Sequence, residues 1–273
     1  MHSVIKYFGG KTNMTDIFKS NFPRSFDIYV EGFGGGASLL FSKEQKGVEI
    51  YNDLDENVYS LFKVLSDKEL FEQLKEKMDL TYYSEQLRQE FKSDLKGGGD
   101  LSILDRAYKF LYVNRTSFNG TGGFSVSNYV RRNMSKSTSD YLSMIDGLRD
   151  VHERLSAVVI EHKDIMDILY KYDAENAFMY LDPPYVHSTR KSTARYNQEM
   201  TDEQHEDMLK KVINMKSKIM ISGYDCELYD KYLHDWEKIK FESPNVFSES
   251  TEVIWMNYEP KKTIKRNNLL DFC

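Results

Sequence analysis

Short apolar runs and amphipathic stretches alternate near both ends of the chain, whereas its middle is amphipathic almost throughout. Residues 26–31 read as a strand and lead into the glycine turn Gly32-Phe33-Gly34-Gly35-Gly36, after which a helix continues through residues 37–41. Residues 47–51 form a second strand ending in Asn52-Asp53, and from Asp55 to about residue 65 the spacing is helical again. This β-α-β-α alternation predicts an α/β fold built on a doubly wound, mostly parallel sheet. Strand signals return at residues 157–160, 177–181, 218–221 and 252–258. Helices fit between them, the clearest beginning at Thr201 with Glu203 and Gln204 in its first turn.

Residues 66–156 have a different character. Residues 66–95 are charged and amphipathic, with Leu70, Leu74 and Met78 at helical spacing, until Gly97-Gly98-Gly99 breaks the pattern. A further helix is expected over residues 101–114, a loop or β-hairpin over 116–130, and another helix over 141–155. The block reads as a mostly helical insertion in the sheet domain. The tail at 261–266 is basic and is expected to fray.

Composition narrows the class. With 273 residues, 40% hydrophobic, 29% charged and 14% aromatic, the chain suits one large domain, or a main domain carrying a smaller one. No apolar run reaches membrane-spanning length, and the N-terminal residues lack a signal-peptide core. The two cysteines, Cys226 and Cys273, have no metal-ligand spacing and no partner pattern, so a reducing cytoplasm is expected. The net charge of −6 argues against a nucleic-acid partner, but its distribution argues for one. No acid occurs from Arg106 to Ser139, a window holding Arg106, Lys109, Arg115, Arg131, Arg132 and Lys136. A second acid-free window, 183–198, carries Arg190, Lys191 and Arg195. Local positive surface attracts phosphate because salt screens acids more than about 10 Å away; chance clustering on a solvated face is the alternative.

The second window follows Asp182-Pro183-Pro184-Tyr185, set at the end of the apolar run 177–181. Open α/β sheets bind ligands at that edge. The prolines offer carbonyl acceptors and no donors, so with the carboxylate and the ring they form a corner suited to a flat molecule bearing an exocyclic amine. A tight turn ending a strand is the plainer reading. The glycine turn allows close approach of a ligand, and Asp53, about 20 residues on, is placed to accept ribose hydroxyls. Glu31 could take a ligand ammonium. Together these suggest an adenosyl ligand with a charged amino-acid end, against ordinary βαβ punctuation. The segment Lys6-Tyr7-Phe8-Gly9-Gly10-Lys11 is not a phosphate-binding P-loop, because the required first glycine is Ile5.

Taken in order, these pieces resemble the Dam-like N6-adenine DNA methyltransferases. The matching segments are Tyr7-Phe8-Gly9-Gly10-Lys11, the stretch from Tyr29 through Gly36, Tyr51-Asn52-Asp53, Asn114-Arg115-Thr116-Ser117-Phe118-Asn119-Gly120, Asp164-Ile165, Asp182-Pro183-Pro184-Tyr185, Ile221-Ser222 and the stretch from Glu252 through Tyr258. The resemblance implies a Rossmann-like methyltransferase sheet at 1–65 and 157–273, with 66–156 as an inserted target-recognition domain. It implies S-adenosylmethionine as methyl donor, S-adenosylhomocysteine as product, no metal, and adenine in duplex DNA as acceptor. Tyr7, Lys11, Glu31, Phe33, Gly34 and Gly35 would line the cofactor site, Asp53 would hold the ribose, and Asp164, Ile165 and Asp182 would complete it. Asp182, Pro183, Pro184 and Tyr185 would hold the flipped-out base. Arg115, Asn119, Arg131, Arg132, Lys136, Arg190, Lys191 and Arg195 would contact DNA. The chain departs from the family after Asn119-Gly120, where Thr121-Gly122-Gly123-Phe124 follows at once and Ser125 stands where asparagine is expected. The GATC target common in the family is therefore not carried over. Methylation of cytosine N4 or of an RNA base is the nearest alternative, and a catalytically dead DNA-binding regulator a more distant one. A monomer in a bacterial or phage-infected cytoplasm is expected, with a restriction endonuclease as a candidate partner.

Overall fold

The computed structural model describes residues 3–6, 14–97, 99–186, 200–242 and 251–260. After a short helix α1 (Thr15–Ser20), the chain forms β1 (Ile28–Glu31), α2 (Ser38–Ser42), β2 (Val48–Asn52) and α3 (Glu56–Ser66). Asp55 caps α3 by accepting the backbone N–H groups of Asn57 and Val58. The middle block supplies α4 (Lys68–Asp79), α5 (Glu85–Lys96), α6 (Ile103–Thr116), a two-residue ladder of β3 (Val130–Arg131) and β4 (Met134–Ser135), then α7 (Lys136–Asp146) and α8 (Leu148–Leu155). The helix expected over 141–155 thus begins earlier and divides at Gly147. The expected loop or hairpin at 116–130 is closed by one bridge between Ser117 and Phe124, and the regular ladder lies just beyond it.

The chain continues through β5 (Val158–Glu161), α9 (Ile165–Lys171), β6 (Ala177–Leu181), α10 (Asp202–Val212), β7 (Lys218–Tyr224), α11 (Glu227–Leu233), β8 (Glu237–Glu242) and β9 (Thr251–Met256). Thr201 and Gln204 form the capping box anticipated at the start of α10. Among the described residues one sheet runs β5-β2-β1-β6-β7-β9-β8, parallel through β7, with β9 antiparallel to both its neighbours. β8 has no counterpart in the sequence reading. Its Lys238 and Lys240 alternate with Ile239 and Phe241, and the charges mask an edge strand.

Side chains alternate across the strands. Tyr29, Tyr51, Phe178, Tyr180, Met220 and Ile254 pack on one face with residues of α1–α4 and α6–α8. Val30, Ile50, Met179, Leu181, Ile219 and Trp255 pack on the other with α9–α11. The middle helices therefore join the apolar cluster of one sheet face. Strand order reverses between β1 and β6, and at such a switch point the outgoing loops diverge and open a crevice at the C-terminal edge.

Candidate active site

The glycine turn is fastened to the ends of its neighbouring strands. Gly32 donates to the Tyr180 carbonyl at 3.1 Å and Gly34 to that of Asn52 at 2.8 Å. Tyr51 Oη donates to the Gly35 carbonyl at 2.6 Å, and Asn52 Nδ2 to that of Gly32 at 2.9 Å. Two glycines are required here. A Cβ on Gly34 would lie 2.1 Å from Tyr51 Cε2, and Gly35 adopts φ +48°.

Asp53 closes this arrangement. Its Oδ2 accepts the Gly35 N–H at 2.7 Å and its Oδ1 the Asp55 N–H at 2.8 Å. Burial, with the side chain's residue only 8% exposed, pushes its carboxyl up to about 6 despite those two donors. His162 stacks on Tyr59 at 4.4 Å and donates Nδ1–H to the Asp53 carbonyl at 2.8 Å, a carbonyl being able only to accept. Glu31, at the end of β1, is 2% exposed and accepts the Tyr29 hydroxyl at 2.7 Å. Burial pushes its carboxyl up to about 7, with the Tyr29 hydroxyl and the Leu40 backbone N–H acting against the rise.

Of the other described residues expected at the cofactor site, Phe33 lies in the turn and Ile165 packs against Gly32. Phe33 is half-buried against the second core cluster. Asp164 is exposed and caps α9 through the Met166 N–H at 2.8 Å, while Ile165 is buried. Tyr7 and Lys11 lie outside the described residues. An adenosyl ligand with an amino-acid end needs acceptors for ribose hydroxyls and a counter-charge for its ammonium. Two buried acids whose ionisation is resisted chiefly by burial fit both needs.

At the edge of β6, the half-buried Asp182 accepts Ser222 Oγ at 2.7 Å, and Ser222 Oγ also meets Tyr180 Oη at 2.9 Å. Pro183 is buried, whereas Pro184 and Tyr185 are partly exposed. The Tyr185 ring stacks on Tyr224 with centroids 4.1 Å apart, and its hydroxyl donates to the buried Glu252 carboxylate at 3.1 Å. Ser222, Tyr224, Glu252 and His162 received no role from the sequence. Three of them stand at the ends of strands β7 and β9, at the same edge as Asp182, but only the register reveals this.

The basic window divides into two groups. Arg106 pairs with Glu56 at 3.2 Å and Lys109 with Asp94 at 2.8 Å, so both serve helix packing. Arg131 and Lys136 instead flank the ladder and share Asp140, at 2.7 and 2.5 Å. Arg132 donates to Ser143 Oγ at 3.1 Å. Arg115 is half-buried at the end of α6, its Nε has no hydrogen-bond partner among the described residues, and burial lowers its pKa. Asn119 is exposed with φ +49°. Arg88 pins the following loop by donating to Ser117 Oγ at 2.9 Å and to the Gly122 carbonyl. Arg190, Lys191 and Arg195 lie outside the described residues. Among the described residues, no group of three or more His, Cys, Asp or Glu side chains is arranged to hold a metal ion, and no helix is long and apolar enough to cross a membrane.

Comparison with known proteins agrees with this geometry. The chain is 24% identical over 288 residues to the type II methyltransferase M.CviBI of Paramecium bursaria Chlorella virus NC1A, covering 94% of this chain and 100% of that protein. It is 24% identical over 199 residues to the modification methylase StsI of Streptococcus sanguinis, covering 68% of this chain and 29% of that longer protein. The model of the D12 class N6 adenine-specific DNA methyltransferases matches residues 7–245, and the chain belongs to that family.

Proposed function

We propose that methyl transfer to adenine N6 takes place at the Asp182–Tyr185 edge, with S-adenosylmethionine held by the glycine turn, and that the adenine is flipped out of duplex DNA to reach it. The adenine N6 lone pair is delocalised into the ring and is a poor nucleophile. The Asp182 carboxylate and the Pro183 carbonyl each accept one N6–H bond, which favours a tetrahedral nitrogen whose lone pair points at the donor. Bound S-adenosylmethionine would supply an electrophilic methyl group on a sulfonium: the N6–C bond formed replaces the S–C bond broken, S-adenosylhomocysteine leaves, and N6 gives up one proton to solvent. The remaining work of this chain is alignment and electrostatic stabilisation, with no covalent enzyme intermediate.

The observation that carries this reading is the Ser222–Asp182 hydrogen bond of 2.7 Å at the switch-point edge. With one oxygen held by Ser222, the carboxylate has a fixed direction in which to receive an amine. Asp53 is assigned to the ribose hydroxyls, Glu31 to the ammonium, and Tyr7, Lys11, Phe33, Gly34, Gly35, Asp164 and Ile165 to the rest of the cofactor. Stacking on Tyr185 returns roughly 1–3 kcal/mol of the few kcal/mol that base flipping costs.

Residues 66–156 act as the target-recognition segment, in which Arg115, Asn119, Arg131, Arg132 and Lys136 face DNA; Arg190, Lys191 and Arg195 follow the catalytic corner. The names of the two relatives, a type II methyltransferase and a modification methylase, support a role beside a restriction endonuclease in a bacterial or virus-infected cytoplasm. The protein acts as a monomer.

The test is methylation of plasmid DNA, followed by digestion to nucleosides and mass analysis, with single-molecule sequencing to read the target. N6-methyladenine is expected from the unaltered protein and none from Asp182→Ala, whose cofactor affinity stays within a few-fold. N4-methylcytosine as product, or near-normal turnover by Asp182→Ala, would overturn the assignment.

A further inference from the structure

Tyr185 is clamped from two directions by residues that approach from one side of the site. Tyr224 covers one face of its ring, 4.1 Å between centroids and 26° between planes. Glu252 receives its hydroxyl, with O···O distances of 3.1 and 3.3 Å to the two carboxylate oxygens. Glu252 is 4% exposed and pairs in register with Tyr224 across β7 and β9. In the sheet, β1, β2 and β5 lie to one side of β6, and β7 and β9 to the other. The glycine turn and Asp53 close the strands of the first side. Tyr224 and Glu252 belong to the second.

We propose that Tyr224 and Glu252 are positioning residues that hold Tyr185 as a fixed platform, so that the flipped base stacks on the ring face opposite Tyr224. The inference rests on the reading of Tyr185 as the stacking residue. A tyrosine left to rotate would have to be ordered by each incoming base, and the lost rotamer freedom would weaken binding. A ring backed by a second ring and tethered at its hydroxyl is ordered beforehand. The hydroxyl tether also fixes the tilt of the ring, which sets the plane in which N6 meets Asp182 and Pro183. A near-attack geometry depends on that plane, so a loosened ring should affect turnover as well as binding.

The experiment uses the full chain and two duplexes of its target sequence, identified by single-molecule sequencing: one with adenine at the target position, on which kcat/KM is measured, and one with 2-aminopurine there, which lacks the N6 amine and reports unstacking alone. Tyr224→Phe should stay within about twofold of the unaltered protein, whereas Tyr224→Ala should lower kcat/KM by roughly threefold to tenfold, the contribution of an aromatic pair. Tyr185→Phe and Glu252→Ala should each lower kcat/KM and alter the 2-aminopurine signal, with cofactor affinity unchanged. Combined, they should cost no more than the worse single change, since both delete the same hydrogen bond. Glu252→Gln retains an acceptor and should recover most of the loss; in the Tyr185→Phe background it serves as the second arm should Glu252→Ala fold poorly. The inference is overturned if losses from altering Glu252 persist undiminished in the Tyr185→Phe background, or if Tyr224→Ala melts earlier yet keeps its kcat/KM. Absence of DNA methylation by the unaltered protein would instead overturn the functional reading itself.

Discussion

Asp53 Oδ2 receives the Gly35 backbone N–H at 2.7 Å, which ties the end of β2 to the middle of the glycine turn. Its other oxygen receives the Asp55 N–H, so both oxygens face donors. Asp53→Asn must then turn an NH2 group toward one of those N–H groups. An unsatisfied buried donor costs about 1–3 kcal/mol, and the turn should loosen by a comparable amount. Calorimetric titration with S-adenosylhomocysteine should give a Kd at least about fivefold weaker for the variant. An unchanged Kd would remove Asp53 from the cofactor site.

With Glu31 and Asp53 assigned to the cofactor, its binding should depend on pH. The Glu31 carboxyl is raised from 4.5 to about 7 and that of Asp53 from 3.8 to about 6, in both cases chiefly by burial. The folded protein without ligand thus binds protons more tightly than the unfolded chain. The contribution of each acid to stability is full below its unfolded value and is lost as pH rises through its folded value. A ligand ammonium, or ribose hydroxyls donating to a carboxylate, favours the opposite, ionised form. Cofactor affinity should therefore rise between about pH 5.5 and 7.5 while the melting temperature of the free protein declines over the same range. Binding near pH 6.5 should release protons, seen as a heat that varies with the ionisation enthalpy of the buffer. Glu31→Gln should flatten the upper part of the profile.

The alternation of strands and helices around the sheet was legible because apolar runs such as 177–181 and caps such as Thr201-Gln204 are local signals. β8 was not legible, since Lys238 and Lys240 interrupt its apolar pattern and find Asp225 only in the folded chain. The same limit applies to the site. Asp53 and Asp182 are visible from their positions at strand ends, but Ser222, Tyr224 and Glu252 reach the corner through strand pairing across 39 to 67 residues of chain. The charge window was read correctly as a window and too broadly as a surface, because Glu56 and Asp94, outside it in sequence, neutralise Arg106 and Lys109.

Gly34 tests the packing of the turn. A Cβ there would strike the Tyr51 ring, which cannot retreat because it stacks on Phe62 at 4.2 Å with planes 7° apart. Overpacking of this kind costs roughly 1–3 kcal/mol. Gly34→Ala should lower the urea midpoint accordingly and reduce the melting temperature by about 2–4 °C per kcal/mol. A variant as stable as the parent would mean that the turn is looser than its hydrogen bonds imply.

The basic residues should separate in salt. Arg131→Ala and Lys136→Ala should each reduce the slope of log K against log salt for duplex DNA by about 1, as expected for a lost phosphate contact. Arg106→Ala and Lys109→Ala, whose charges are taken by Glu56 and Asp94, should leave the slope unchanged. Their ion pairs lie on a partly exposed surface, where each contributes at most about 1 kcal/mol. Equal slopes for all four variants would refute the division.

Tyr112, Tyr141 and Leu148 belong to the same apolar mass as Tyr29 and Phe178. The helices of residues 66–156 thus share apolar packing with the sheet, and the isolated segment should melt less cooperatively by circular dichroism than the whole chain does. A transplant between relatives would succeed only as a smaller cassette. The stretch from Ser117 to Ser135, anchored by Arg88 and by the Tyr83 hydroxyl on the Ser125 carbonyl, gives no strand to the seven-stranded sheet, so its exchange should leave that sheet in place. Sequence preference in this enzyme would then evolve by revising a hairpin-sized patch, while the scaffold that performs the chemistry stays fixed.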